Sequence, residues 1–121
     1  MKTGRKITGA KYHARRKKRL HERDSQTRIV KLGKEKKKLI RGRGGKIKTI
    51  LISAEFANVL DKKSCKSKKA KIKNVLETPS NRFLARQNIL VKSAIIETEI
   101  GKARITNRPS QEASVECILI E

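Results

Sequence analysis

The sequence predicts an all-β protein: a small closed or partly open barrel of about six strands, with a basic extended N-terminal arm and one short helix. Three features of the chain point there. From residue 27 onward, short β-branched segments recur roughly every ten positions, separated by turn residues. Before that point apolar side chains are almost absent, with Ile7, Tyr12 and Leu20 standing isolated. Only Asn81 to Ile89 has helical spacing. A barrel is preferred to an open sheet because closure removes exposed strand edges.

The elements follow in chain order. Residues 1–26 bury too little surface to offset ordering entropy, so this arm is expected to be disordered when free. Within it, Ala14-Arg-Arg-Lys-Lys-Arg19 is a dense cation block. Ala, Arg and Lys are good helix formers, so the block either winds up once phosphates neutralise it or stays extended. Residues 27–121 are the barrel domain. Its segments are Thr27 to Leu32, interrupted by Gly33; Lys36 to Arg41, ending at Gly42-Arg-Gly-Gly45; and Lys46 to Ile52. Phe56 to Leu60 then leads into a basic turn over 61–69. Ala70 to Glu77 is stopped by Pro79, and the short helix comes next. Ala94 to Ile100 and Lys102 to Thr106 flank Gly101, which reads as a tight hairpin turn. Ser114 to Ile120 closes the set, with Cys117 alternating with Val115 and Leu119 as a small core residue.

Charge is the strongest functional signal. The 121 residues hold 33 Lys and Arg against 11 Asp and Glu, a net charge of +22. Residues 1–50 carry 20 against 3, a net of +17, and residues 51–121 carry 13 against 8, a net of +5. A charge this large repels itself, so a compact state needs a polyanion to offset it. RNA, DNA and anionic membrane surfaces qualify. Modules that read single strands stack bases on several aromatic rings, and this chain has only Tyr12, Phe56 and Phe83. Affinity is therefore expected from phosphates, with shape rather than base edges setting location.

The candidate phosphate-binding residues fall in four groups. In the arm they are Lys2, Arg5, Lys6, Lys11, Arg15, Arg16, Lys17, Lys18, Arg19 and Arg23. Arg41, Arg43 and Lys46 flank the glycines Gly42, Gly44 and Gly45, which let backbone amides approach a phosphate; a plain β-turn fits the same residues. No Gly-Lys-Ser/Thr follows, so this is not a nucleotide-binding loop. Arg82 and Arg86 lie four apart and share a helix face, poised over a phosphate row or simply solvated. Arg104 and Arg108 flank a hairpin and either bind phosphate or pair with Glu97 or Glu99.

Other function classes find little support. Cys65 and Cys117 lie far apart, with only His13 and His21 as other soft ligands, so neither a metal nor any other cofactor is expected. Glu97 with Glu99, and Glu22 with Asp24, lack a base, a nucleophile or a third ligand, so no active site and no small-molecule substrate are expected. No run of about 18 apolar residues exists to span a bilayer, and the first residues lack the apolar stretch of a secretory signal. A cytoplasmic protein with no membrane partner and no homo-oligomer is the expectation. A DNA- or chromatin-binding protein is one alternative, although no helix-turn-helix, zinc finger or dimerising heptad occurs. An RNA-processing enzyme or its accessory subunit is the other.

A resemblance sharpens this reading. Arg5-Lys-Ile-Thr-Gly-Ala10 and the cation block after it look like the opening signature of the archaeal and eukaryotic-type eight-e family of the small ribosomal subunit. The likeness continues through Arg41-Gly-Arg-Gly-Gly45, Ala57-Asn-Val59, Asn81-Arg82 and Arg86-Gln-Asn-Ile89. It is densest in Ala94-Ile-Ile-Glu-Thr-Glu-Ile-Gly-Lys-Ala-Arg-Ile-Thr106 and in Arg108-Pro109. The short length, with no long internal insertion, is similar to the archaeal form. The resemblance implies a β-barrel body, an N-terminal extension threaded into small-subunit ribosomal RNA, other small-subunit ribosomal proteins as neighbours, and no catalysis. Two departures stand out. His21-Glu-Arg-Asp24 replaces a Glu-Leu-Gly-Arg-like turn, and Ser110 stands where the family tends toward Gly. A turn needing positive φ would be strained at Ser110.

Overall fold

The computed structural model describes residues 4–13, 15–23 and 27–120. Eight strands and one short helix follow the arm. β1 (Lys31–Leu32), β2 (Lys36–Arg41) and β3 (Ile47–Ala54) form a three-stranded sheet in the order β1–β3–β2. β4 (Phe56–Asp61), β5 (Lys66–Glu77), β6 (Ile95–Thr98), β7 (Lys102–Ile105) and β8 (Glu116–Leu119) close into a barrel, with α1 (Arg82–Arg86) between β5 and β6. The expected all-β barrel with one short helix is what forms. The barrel itself takes five strands, and the first three stand apart as a second sheet.

Closure comes from a parallel pairing of β4 with β8, in which Val59 lies opposite Cys117. Every other neighbour in the barrel is antiparallel. β5 is long enough to serve two partners. Its first half pairs with β4, from Asp61 opposite Lys66 to Phe56 opposite Lys71, and its second half with β6. Register irregularities between Ile72 and Asn74 and between Val75 and Glu77 bend it around the barrel, as bulges do. The basic run thus reaches less far as a turn than expected. Only residues 62–65 turn, and 66–69 are strand, because pairing with β4 overrides the weak strand preference of Lys and Ser.

Alternation supplies the core. Ala57 and Val59, Ala70 and Ile72, Ala103 and Ile105, and Val115 and Cys117 point inward two residues apart, joined by Ile96 and Ala94. The alanines matter because a five-stranded barrel has a narrow interior that side chains must fill without overpacking. Leu51, Ala54 and Val30 extend this core toward the second sheet. Of the two buried polar side chains among the described residues, Thr78 leaves its Oγ1 without a hydrogen-bond partner, whereas Thr98 is satisfied: its Oγ1 donates to Gly101 O at 2.8 Å and accepts from Gly101 N at 3.3 Å. Those bonds tie the predicted β6–β7 hairpin, with Gly101 at φ +150°.

α1 is shorter than the spacing suggested. Asn81 caps it by accepting from Phe83 N at 3.0 Å, and Asn88 ends it in the left-handed region at φ +52°. Thr27 to Leu32 likewise yields only the two-residue β1, since Val30 C=O is spent on Leu90 N and Lys31 bridges to Ile89. Ser110 does not take a positive φ, so its replacement of Gly costs no backbone strain.

Candidate nucleic-acid interface

The arm organises its cations with local bonds only. Lys6 N donates to Ala10 O at 2.9 Å, Gly9 N to Lys6 O at 2.8 Å, and Arg5 bridges to Lys11, making a small loop with Arg5, Lys6 and Lys11 at its neck. Lys6 Nζ sits 5.6 Å from the centre of the Tyr12 ring, within cation–π range. Residues 15–19 lie in no regular element, so the block is not helical here. A 3-10 turn follows at Leu20–Glu22. It aims the Glu22 carboxylate back onto the block, where Arg16 holds it through two hydrogen bonds of 2.8 and 2.5 Å and Arg19 N donates at 3.0 Å. Arg16, and then the Arg19 amide, hold the Glu22 carboxyl below its ordinary range, while the pair raises Arg16 above its own. Arg16 is therefore partly neutralised within the arm. Arg15, Lys17, Lys18, Arg19 and Arg23 are exposed, and Arg23 Nε reaches Lys18 O at 3.4 Å. Lys2 lies outside the described residues.

The glycine motif forms the β2–β3 hairpin tip. Gly42 N donates to Lys46 O at 2.6 Å, and the chain turns through Gly44 at φ +67° and Gly45 at φ +75°. L side chains rarely adopt that region, which explains two successive glycines. Arg41, Arg43 and Lys46 surround the tip, all exposed.

On the body, Arg82 and Arg86 come together as predicted. Both are exposed and line one shallow groove with Asn74, Val75 and Leu76. Arg104 projects from β7 opposite Ile95 and Ile118, beside Asp61 and Lys62. Glu97 lies opposite Lys102 instead, and among the described residues neither Arg104 nor Arg108 forms an ion pair. Arg108 is exposed in a loop ordered by Asn107, whose amide donates to Glu112 at 2.7 Å and to Ser114 O at 2.9 Å. The sixteen described candidates thus fall on the arm, the hairpin tip, α1, β7 and the loop after it rather than in one cleft.

Sequence reasoning passed over one cationic surface. Lys62, Lys63, Lys66, Lys68 and Lys69 are exposed along the β4–β5 hairpin. Asp61 shapes its turn by accepting from Lys63 N at 3.0 Å and Ser64 Oγ at 2.8 Å, bonds that lower its own carboxyl pKa. The signal for it in the sequence is lysine density, five in the nine residues 61–69 that read as a basic turn. Lys69 Nζ lies 4.8 Å from the centre of the Phe56 ring. The Tyr12, Phe56 and Phe83 rings are all exposed, in the arm, on β4 and on α1 respectively. They are too dispersed to form a stacking platform.

Among the described residues no group of three or more His, Cys, Asp and Glu could hold a metal, and no helix is long and apolar enough to cross a membrane. Cys117 is buried in the barrel, and burial followed by the Glu116 charge pushes its thiol up to about 12. Such a thiol packs rather than ligates or reacts.

Comparison with known proteins returns one consistent match. The profile of the family described as "Ribosomal protein S8e" covers residues 1–120. The chain is 48% identical over 120 residues to small ribosomal subunit protein eS8 of Sulfurisphaera tokodaii, covering 97% of this chain and 92% of that one. It is 42% identical to the protein of the same name from Methanocorpusculum labreanum, over 99% and 96% of the two chains. The Nanoarchaeum equitans protein of that name is 44% identical, over 95% and 91%.

Proposed function

This chain belongs to the ribosomal protein S8e family, and on that premise we propose that it braces folded small-subunit ribosomal RNA through phosphate contacts, made chiefly by its arm. Its role is that of a structural ribosomal protein and it is not an enzyme. Its place is the small ribosomal subunit, as its relatives' name says of them.

One observation carries the reading. The described arm residues, 4–13 and 15–23, hold nine Lys and Arg, contribute nothing to the core, and bond only within their own segment. A segment the fold does not use, and whose charge the fold does not neutralise, has its partner elsewhere. Residues 1–26 act as the RNA-embracing arm and residues 27–121 as the barrel domain. Arg41, Arg43 and Lys46, Arg82 and Arg86, and Arg104 and Arg108 add contacts from the body. The arm takes its final order as RNA folds around it, which couples protein ordering to subunit assembly. Neighbouring ribosomal proteins are the other partners. A net charge of +22 opposes self-association, so no homo-oligomer forms.

Filter binding of a labelled small-subunit rRNA fragment, competed with duplex DNA of equal charge, tests this. The rRNA is expected to stay bound while DNA competes poorly. Displacement by DNA as readily as by unlabelled rRNA would reduce the protein to a general polyanion binder.

A further inference from the structure

The three-stranded sheet exposes apolar side chains that the fold leaves uncovered. Its order places β2 at an edge, so alternate β2 residues turn N–H and C=O groups away from β3, with no partner among the described residues. On one face, the half-buried Ile40 and the exposed Ile29 and Ile52 line an open groove floored by the buried Ile50. Lys38 lies opposite Ile50, and Lys48 opposite Ile40. On the other face Leu39 is 67% exposed, and Ile47, opposite Arg41, is 66% exposed. Lysines on an edge strand commonly guard against unwanted pairing, and Lys36, Lys37 and Lys38 fit that use. Leu39 and Ile40, next along the same edge, do not. A strand guarded for half its length and apolar on both faces for the rest selects a partner rather than excluding all of them.

We propose that the free edge of β2 is a docking site for an extended segment of a neighbouring protein, acidic beside Lys36 and Lys38 and aliphatic beside Leu39 and Ile40, which adds to the sheet as a further strand. Geometry selects a strand. Its successive side chains pass to opposite faces, so it covers Ile40 and Leu39 together, whereas a helix lies on one face only. Chemistry selects protein over RNA, because aliphatic side chains give a base no ring to stack on and a phosphate no donor. Charge selects the composition. Arg28, Lys38 and Arg41 line the groove with no carboxylate among the described residues beside them, and Glu35, just before the strand, is bound to Lys37 at 2.5 Å. A second copy of this chain, at +22, would be repelled. The proposal rests on the ribosomal reading only for where the partner is found.

The test installs a photo-crosslinking benzophenone side chain at position 39 of the full chain assembled into small subunits, with a parallel probe at position 17 in the arm. The position 39 adduct is expected on a segment of another ribosomal protein in which acidic and aliphatic residues stand together. Lys38→Glu, an exposed change, should lower its yield by roughly tenfold through like-charge repulsion. An adduct with rRNA, with a second copy, or with a segment of other composition overturns the proposal, as does no adduct or a yield indifferent to Lys38→Glu. The position 17 probe separates the two readings. If it reaches rRNA while position 39 fails, only the docking site falls; if it does not, the ribosomal reading falls as well.

Discussion

Deleting residues 1–26 removes ten of the 33 Lys and Arg and none of the buried core, whose first member is Val30. Every hydrogen bond and ion pair of the described arm is internal to it, so among the described residues the barrel loses no partner. The truncated protein should therefore unfold within about 0.5 kcal/mol of the full chain, the range of surface changes away from special features. RNA binding should change far more. Arg16 is held by Glu22, so the other nine arm cations, eight of them among the described residues, are counted toward phosphate. At about 0.7–0.9 in log–log salt slope per contact, nine engaged cations contribute a slope of about 6–8, and half of them about 3–4. Filter-binding titrations of both proteins over about 50 to 200 mM salt, with circular dichroism of the truncated form, measure the two effects. Equal salt slopes would refute the assignment of binding to the arm. Loss of the β-sheet signal on truncation would refute the division into arm and barrel.

Three further outcomes are expected. Ile96 is fully buried between β5 and β7, so Ile96→Ala should cost about 2–5 kcal/mol in a denaturant titration, and a much smaller cost would contradict a filled barrel. Glu22→Gln releases Arg16 and should raise rRNA affinity, steepening the salt slope by about one contact, or about 0.7–0.9; an unchanged slope would mean that Arg16 does not reach the RNA. A thiol reagent at neutral pH should label the exposed Cys65 and leave Cys117 untouched, as mass spectrometry of the folded protein reads directly. Burial raises the Cys117 thiol from 9.0 to about 12, so its contribution to stability is complete below about pH 9 and is lost as pH climbs toward 12. Cys117→Ala should flatten that alkaline decline, and an identical decline would assign it to other groups.

Much of the fold can be read from the chain because strand periodicity is local. β7 falls where the alternation of Ala103 and Ile105 with Lys102 and Arg104 places it, β2 ends where Gly42 stops it, Gly101 marks its hairpin, and the alternation of Val115, Cys117 and Leu119 foretells a core cysteine. The split into two sheets cannot be read this way. β3 and β4 are separated by a single residue, Glu55, at which the chain passes from one sheet to the other. The parallel closure of β4 on β8 is equally silent, since it depends on pairing residues 58 apart in the chain, such as Asn58 and Glu116. At the interface, cation content is visible at once, but its internal bookkeeping is not. That Arg16 meets Glu22 depends on a 3-10 turn over Leu20–Glu22, which residue spacing does not reveal. That Lys66, Lys68 and Lys69 of the β4–β5 hairpin stand on a paired strand rather than in a turn is equally hidden, because charge looks the same on a loop and on a strand.

Gradient sedimentation of the native full chain with small subunits, repeated as potassium chloride is raised, addresses the cationic tether most directly. In dilute buffer the protein should travel with the subunits, and added salt should release it steeply. A protein that sediments apart even at low salt, or one that high salt fails to loosen, would contradict the account.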